Sequence, residues 1–286
     1  MGAETITSAL RGVVANKLRS SLTILGLTIG VASVIVLIAV GNGSSHAVQQ
    51  RIEALGSNVL LVTRGFNLGG SGSSGVASQP LTQADASALN HNDQAPDVLD
   101  SSPVVNASPT LVNGSVSYQP SSFVGTTPGY EQARDYRVAE GSFFTNKDVQ
   151  KRGRVVVIGP TVASNLFPGQ NPVGQTIQVG GTQYQVIGVT QSKGSNGVQD
   201  QDDVAFAPIT AVQDTLTGYG DIDQIVVQAK SRSALDDAES EVTSVLDQRH
   251  KISDSADADF RVINQGSILQ ASSSTSSSTT SASVAA

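Results

Sequence analysis

A long run of mainly apolar residues stands near the start of the chain, from Leu22 to Val40, inside a charge-free stretch from Ser20 to Gln50. As an α-helix this run would be about 28 Å long, because each helical residue adds about 1.5 Å. The hydrocarbon core of a bilayer is about 30 Å thick, so the two lengths match. The pattern therefore predicts a transmembrane helix, with its extension, over residues 21–57.

The residues before this run carry a bias of positive charge. Arg11, Lys17 and Arg19 precede it, whereas Glu4 is the one acid among the first twenty residues. Basic flanks favour the cytoplasmic side of a membrane. We therefore expect a single-pass protein of the cell (inner) membrane, with residues 1–20 as a cytoplasmic amphipathic segment and the main domain extracytoplasmic.

A cleaved signal peptide is the alternative for this segment, since it also has a basic start, an apolar middle and a small-x-small triplet, Ser45-His46-Ala47. The apolar region of a signal peptide usually has about 7 to 15 residues. The run here is longer than that, which favours a retained anchor.

Small residues recur within the run at spacings of four and three, at Gly26, Gly30 and Ser33. Residues at those spacings share one face of a helix. In a bilayer, small side chains on such a face let a second helix approach closely. We interpret these three residues as a helix-packing face; ordinary glycine usage in membrane spans is the alternative.

Beyond residue 57 the apolar pattern switches between the periods of strands and helices. Capping motifs at Thr82 and Ser233 predict two helix starts. Turns are predicted at Asn113-Gly114 and Gly180-Gly181. The predicted elements are strands at 58–63, 98–106, 116–124, 155–158, 176–179, 183–189, 225–227 and 260–263, and helices at 82–90, 161–167 and 233–246. This order predicts an α+β fold in which a βαβ domain is interrupted by a mainly β insert.

Composition and charge exclude several classes of function. The chain contains no cysteine, so thiol catalysis and disulfides are ruled out. Beyond residue 20 there are 14 basic and 23 acidic groups, a formal charge of −9. Such a surface repels phosphate backbones, and with 4% aromatic residues and no Trp little is available to stack on bases. Nucleic acid is not expected as a partner.

Three blocks of sequence resemble a known family. They are ALRGVVANKLRSSLTILGLTIGVASVIVLIAVGNG, then RIEALGSNVLLV, then GRVVVIGPTVASNLFPGQNPVGQTIQVGGTQYQVIGV. In order and spacing they resemble the MacB-type permeases of ABC transporters (FtsX-like permease relatives) over residues 5 to about 270. The resemblance implies a first membrane helix followed by an extracytoplasmic domain with a Porter-like βαβ part and an inserted, mainly β part called Sabre.

The resemblance also implies domain boundaries. These are 1–20 for the cytoplasmic segment, 21–57 for the membrane helix and its extension, 58–127 plus 204–266 for the Porter-like part, and 128–203 for the Sabre-like insert. Residues 267–286 are rich in Ser and Thr and are expected as a disordered tail. Family members continue into three more membrane helices after this domain, and this sequence shows none of them.

Two functions are compatible with these features. The first is the permease component of an ABC transporter, whose outer domain moves when a partner ATPase binds ATP and so drives export or mechanotransmission. The partners implied are that ATPase, membrane lipid, a second permease copy or a chain with the remaining helices, and a periplasmic adaptor. The second is a membrane-anchored extracytoplasmic binding or scaffold module that acts without an ATPase.

The sequence contains no complete catalytic or cofactor-binding motif. Gly70-x-Gly72-x-x-Gly75 has the spacing of a dinucleotide loop, but no helix pattern follows it to supply backbone amides to a phosphate. No GxxxxGK[ST] motif occurs, so we expect ATP hydrolysis on a partner subunit and no catalytic residue or cofactor in this chain.

Metal ligands are not expected either. His46, His91 and His250 are far apart in the sequence and are expected as solvated side chains. Two acidic groups lack the ligand spacing of a calcium loop and are expected as solvated loops: Asp200, Asp202 and Asp203, and Asp254, Asp257 and Asp259.

Overall fold

The chain divides into two compact units, one within residues 1–51 and the other within residues 52–286. The structure, a computed structural model, describes residues 18, 21–22, 25–36, 58–65, 79–90, 93–195, 200–253 and 258–264. Several predictions therefore lie outside the described residues: the extension of the first helix, the Gly70–Gly75 loop, His46, His91, Asp254, Asp257 and the tail at 267–286.

The first unit is helical over residues 25–36. Its apolar side chains are exposed, with Leu27 70% and Ile35 61% accessible. Among the residues that the structure describes, no helix is long and apolar enough to cross a membrane. The membrane helix thus stays a prediction.

The second unit is built from short strands and helices. The strands are β1 (Val59–Arg64), β2 (Val98–Ala107), β3 (Leu111–Asn113), β4 (Val116–Tyr118), β5 (Ser122–Thr126), β6 (Val138–Gly141), β7 (Val155–Ile158), β8 (Thr176–Val179), β9 (Thr182–Thr190), β10 (Val204–Pro208), β11 (Gln224–Ala229) and β12 (Phe260–Asn264). The helices are α1 (Gln83–Asn90), α2 (Gly129–Ala133), α3 (Asn146–Gln150), α4 (Pro160–Leu166), α5 (Ile209–Val212) and α6 (Leu235–His250). A π-helical turn, Gln213–Thr217, follows α5, and a 3₁₀ turn, Arg232–Ala234, precedes α6.

Four strands form a first sheet in the order β12-β1-β11-β2, and every neighbouring pair is antiparallel. Strands β1 and β2 are therefore parallel, with β11 between them, and β11 and β12 are parallel with β1 between them. Helix α1 connects the first of these pairs and α6 connects the second. Two interleaved split βαβ units of this kind make a ferredoxin-like arrangement.

Helices α1 and α6 pack against each other and against this sheet. The predicted apolar face of α6 is confirmed, since all of its members are buried: Leu235, Ala238, Val242, Val245 and Leu246. The predicted start of α1 is also confirmed, because the backbone N–H and the hydroxyl of Thr82 both donate to the Asp85 carboxylate. The predicted start of α6 is wrong by two residues. Ser231, rather than Ser233, accepts a hydrogen bond from the N–H of Ala234 and begins the 3₁₀ turn before the helix.

The remaining strands form a second sheet that continues from β2. Its order is β2-β5-β10-β7-β9-β8-β3-β4, and β6 pairs with β9 outside that path. Pairing is mixed: β5 with β10 and β7 with β9 are parallel, and the others are antiparallel. The mixed pairing agrees with the predicted α+β class.

The predicted boundaries at residues 127 and 204 lie directly after β5 and at the start of β10. Strand β5 pairs with β2 and β10, and β10 pairs also with β7 of the predicted insert. The division into a Porter-like part and an insert stays a proposal.

Two tight hairpins lie in the second sheet. Gly180 and Gly181 have φ values of 56° and 85° and join β8 to β9, as predicted. In the other hairpin Asn113 pairs with Val116, so the loop consists of Gly114 and Ser115, one residue later than predicted. Positive φ values favour glycine, and Gly114 has a φ of 59°.

The predicted strand over 116–124 is wrong, because it is two strands. Strand β4 ends at Tyr118 and β5 begins at Ser122, with Gln119 and Pro120 between them. Proline has no N–H for a ladder and interrupts pairing.

Truncating the buried face of α6 should destabilise the second unit. Leu246 is completely buried, and replacing a buried Leu with Ala costs about 2–5 kcal/mol in free energy of unfolding. We expect that loss for Leu246→Ala in urea denaturation followed by circular dichroism. The matched control is Ser244→Ala, an exposed position on the same helix, where a change within about 0.5 kcal/mol is expected. Equal effects of the two variants would contradict the described packing.

Candidate functional site

The predicted packing residues Gly26, Gly30 and Ser33 all lie in the helical residues 25–36. A Cβ atom built on either glycine would meet no atom within 4 Å outside the helix's own backbone. The hydroxyl of Ser33 donates back to the carbonyl of Ile29, and lies 3.3 Å from that of Gly30. The Ser33 hydroxyl therefore has its hydrogen-bond acceptor within its own helix. The helix face that Ser33 shares with the two glycines carries only small side chains at these three positions.

A buried charged cluster lies in the second unit at the end of α6. His250 is buried, and its Nδ1 lies 2.9 Å and 3.0 Å from the two carboxylate oxygens of Asp259. Its Nε2 lies 3.5 Å from Oδ2 of Asp85, and Arg249 donates from Nε to Oδ1 of the same Asp85 at 2.7 Å. We name this group the Asp85–His250–Asp259 clasp. It joins the start of α1, the end of α6 and the residue before β12.

The predictions that His250 and Asp259 are solvated are wrong, because both side chains are buried. His250 stands four residues after Leu246, so it continues the buried face of α6 by one turn. Asp259 is also buried, because it anchors two further segments. Its carboxylate accepts from the N–H of Gln79 at 2.8 Å, and its carbonyl accepts from the N–H of Gly65 at 2.7 Å.

Hydrogen bonding sets the charge state of the clasp at Asp85. Burial by itself would raise the pKa of Asp85, but hydrogen bonds from Thr82 and Arg249, with the charge of Arg249, outweigh it and lower the pKa below its usual value. The pKa of the neighbouring Asp247 is raised, first by burial and then by the negative charge of Asp259. Asp85 therefore serves as the charged anchor of this cluster.

The acidic group at residues 200–203 is likewise part of the fold rather than a solvated loop. Asp202 accepts hydrogen bonds from Ser192, Lys193 N–H and Gly194 N–H. Asp203 accepts from Tyr118 and from Ser121. The prediction of solvation is wrong for these two residues because both are buried. Within the described residues no group of His, Cys, Asp and Glu has the geometry of a metal site.

Lys193 fixes the same loop to an aromatic cluster. Its Nζ donates to the carbonyl of Arg134 at 2.7 Å and lies 4.5 Å from the ring centroid of Tyr136. Burial lowers the pKa of Lys193 to about 8. The Tyr136 ring packs in turn on Phe206, 4.7 Å between centroids. None of these contacts forms a catalytic arrangement.

Comparison with known proteins decides the family. The MacB-like periplasmic core domain matches residues 20–245 of the chain, which is more than half of its length. The chain belongs to the MacB-like periplasmic core domain family. The permease resemblance drawn from the three sequence blocks is confirmed.

Two MacB proteins are similar to this protein along most of its chain. The macrolide export ATP-binding/permease protein MacB of Azoarcus sp. is 36% identical over 97% of this chain and 40% of its own length. The MacB of Syntrophobacter fumaroxidans is 35% identical over 82% of this chain and 33% of its own length. The chain thus spans about two fifths or less of these relatives.

A solved structure of the same family supports the fold. The periplasmic region of MacB from Actinobacillus actinomycetemcomitans matches with a TM-score of 0.62 and 24% identity, over 77% of this chain and 94% of that one.

Removing the Asp85 carboxylate should make stability less dependent on pH. Because its pKa is lowered in the fold, its contribution is present above its usual pKa of about 4 and is lost as the pH falls through the lower folded value. We expect Asp85→Asn to lower the free energy of unfolding by about 1–3 kcal/mol at pH 7, and the difference from wild type to shrink below pH 4. Chemical denaturation at a series of pH values measures this.

The exposed Asp93→Asn is the matched control, with an expected change within about 0.5 kcal/mol. A deficit of Asp85→Asn that stays constant down to pH 2 would show that the carboxylate does not act through its charge.

Proposed function

We propose that this chain is a membrane (permease) component of an ABC transporter of the MacB type. In this proposal its extracytoplasmic domain moves when a partner ATPase binds ATP, and the movement drives export or mechanotransmission. Membership of the MacB-like periplasmic core domain family carries the proposal. The relatives are named ATP-binding/permease proteins for macrolide export, and only part of their length corresponds to this chain.

The pairing of the first and last strands of the second unit supports this role. Strands β1 and β12 are antiparallel with Leu60 opposite Asn264, so the start of the first described strand lies beside the end of the last one. A domain with adjacent ends can be inserted between membrane segments on one side of a bilayer. The predicted membrane helix precedes β1, with a cytoplasmic N-terminus, and its exposed apolar side chains are those that a bilayer would cover.

A membrane-anchored binding or scaffold module without an ATPase is the second candidate. The two candidates differ in whether an ATPase accompanies the chain.

Copurification from native membranes distinguishes the candidates. We expect an affinity-tagged chain, extracted in mild detergent, to retain an ABC ATPase, and its ATP hydrolysis to be vanadate-sensitive. Intact mass of the purified chain tests in the same sample whether residues 1–57 are retained or cleaved. A chain recovered without any ATPase, at several detergent strengths, would favour the anchored module.

We also propose that Gly26, Gly30 and Ser33 form the packing face for a partner helix, either in a second permease copy or in a chain carrying the remaining membrane helices. Gly30→Leu should weaken this contact, because the added side chain separates the two backbones. Since the chain has no native cysteine, a single Leu22→Cys reports the contact by disulfide cross-linking in membranes.

The matched control is Val31→Leu, which lies about 100° away on the helix from Gly30. We expect Gly30→Leu to reduce the cross-linked fraction several-fold and Val31→Leu to leave it unchanged. Equal yields from the two variants would show that these residues do not form a packing face between two copies of this chain.

A further inference from the structure

We infer that the two sheets of the second unit, with the helices described on them, move as one rigid body, with β2 as the shared element that joins them. The inference deepens the proposed function and rests on it for its role: a lever that transmits movement from its membrane end must not bend at the junction of its sheets. Four features of the junction carry it.

The first feature is the continuity of β2. Its residues 98–104 pair with β11 in the first sheet, and its residues 105–107 pair with β5 in the second. Val104 lies opposite Gln224 and the next residue, Val105, lies opposite Gly125. The strand changes partner without a break, so no loop intervenes where a hinge would lie.

The second feature is the return crossing, which is attached to β2. After the second sheet the chain re-enters the first at Asp223, whose N–H donates to the carbonyl of Val104 at 2.9 Å. The Asp223 carboxylate accepts from the backbone N–H of Asn106 at 2.6 Å and from its side chain at 3.2 Å. The two connections between the sheets are thus hydrogen-bonded side by side.

The third feature is a set of hydroxyl contacts at the same place. Thr126, at the end of β5, is completely buried and donates to the carbonyl of Pro103 at 2.9 Å. Thr127 donates to the hydroxyl of Ser102, also at 2.9 Å. Residues of the second sheet therefore hold both Ser102 and Pro103 of the first.

The fourth feature is apolar packing on both faces of the junction. On one face, α5 packs against β2 and β5, and a Cβ atom on Gly125 would lie 2.8 Å from Cβ of Val212. On the other face, α2 packs against β2 and β11, and a single buried cluster contains Val104 and Val226 of the first sheet with Phe206 of the second. Bending in either direction would compress a close-packed core, and such interiors resist compression.

Spin-label distances in the full chain test this rigidity. The sequence has no cysteine, so Ser244→Cys on α6 and Gln178→Cys on β8, both exposed, place one label on each sheet. The control pair, Ser117→Cys on β4 with Arg154→Cys just before β7, lies within the second sheet. Double electron–electron resonance is recorded on both doubly labelled chains in detergent and in lipid nanodiscs.

We expect the pair across the junction to give a single distance peak as narrow as that of the control pair. A second peak, or a distribution at least twice as wide as the control, would overturn the inference. A narrow peak in a chain that never retains an ATPase would leave the rigid body standing and remove the proposed transporter role. A broad peak in a chain that retains an ATPase would overturn the rigid body and leave the proposed transporter role standing.

Discussion

The antiparallel pairing of the first strand of the second unit with its last strand is the constraint on which the rest of this unit depends. β1 lies between β11 and β12, so its backbone groups are used on both sides. The pairing places Arg64 opposite Phe260 at one end and Leu60 opposite Asn264 at the other. The second sheet is built from the chain between β2 and β11: it leaves from the end of β2 and returns at the start of β11, where Val104 and Gln224 are partners.

Local sequence patterns predicted the elements whose determinants are local. The strand at Val155–Ile158 and the glycine hairpin at Gly180-Gly181 have the predicted positions. The buried face of α6 also follows directly from its helical period. In each case the predictive pattern spans a short segment: an unbroken apolar run, two consecutive glycines, or apolar residues at a helical spacing.

Strands whose pairing depends on distant parts of the chain are not predicted from the sequence. Strand β10 is short and apolar, and its sequence does not show that it pairs with β5 on one side and with β7 on the other. Strand β6 is mostly exposed, and its pairing with β9 has no sign in its own sequence. Single-sequence patterns do not record such long-range pairing. The spacing of Gly26, Gly30 and Ser33 predicts a packing face on the first helix. The helix places these residues on one side, and their partner helix stays a proposal.

Buried polar groups connect separate elements of the second unit. The sequence contains a sign that His250 is buried, since His250 continues the helical period of Val242 and Leu246. Burying such groups is costly unless they are paired, and here the partners come from separate elements: Asp85 from α1 and Asp259 from beside β12. Each pairing is satisfied only when those elements are assembled together. The same logic applies to Thr126 on Pro103 and to Asp223 on Asn106. The contacts of Thr126 and Asp223 lie where the chain changes sheet, so they favour one relative arrangement of the two sheets.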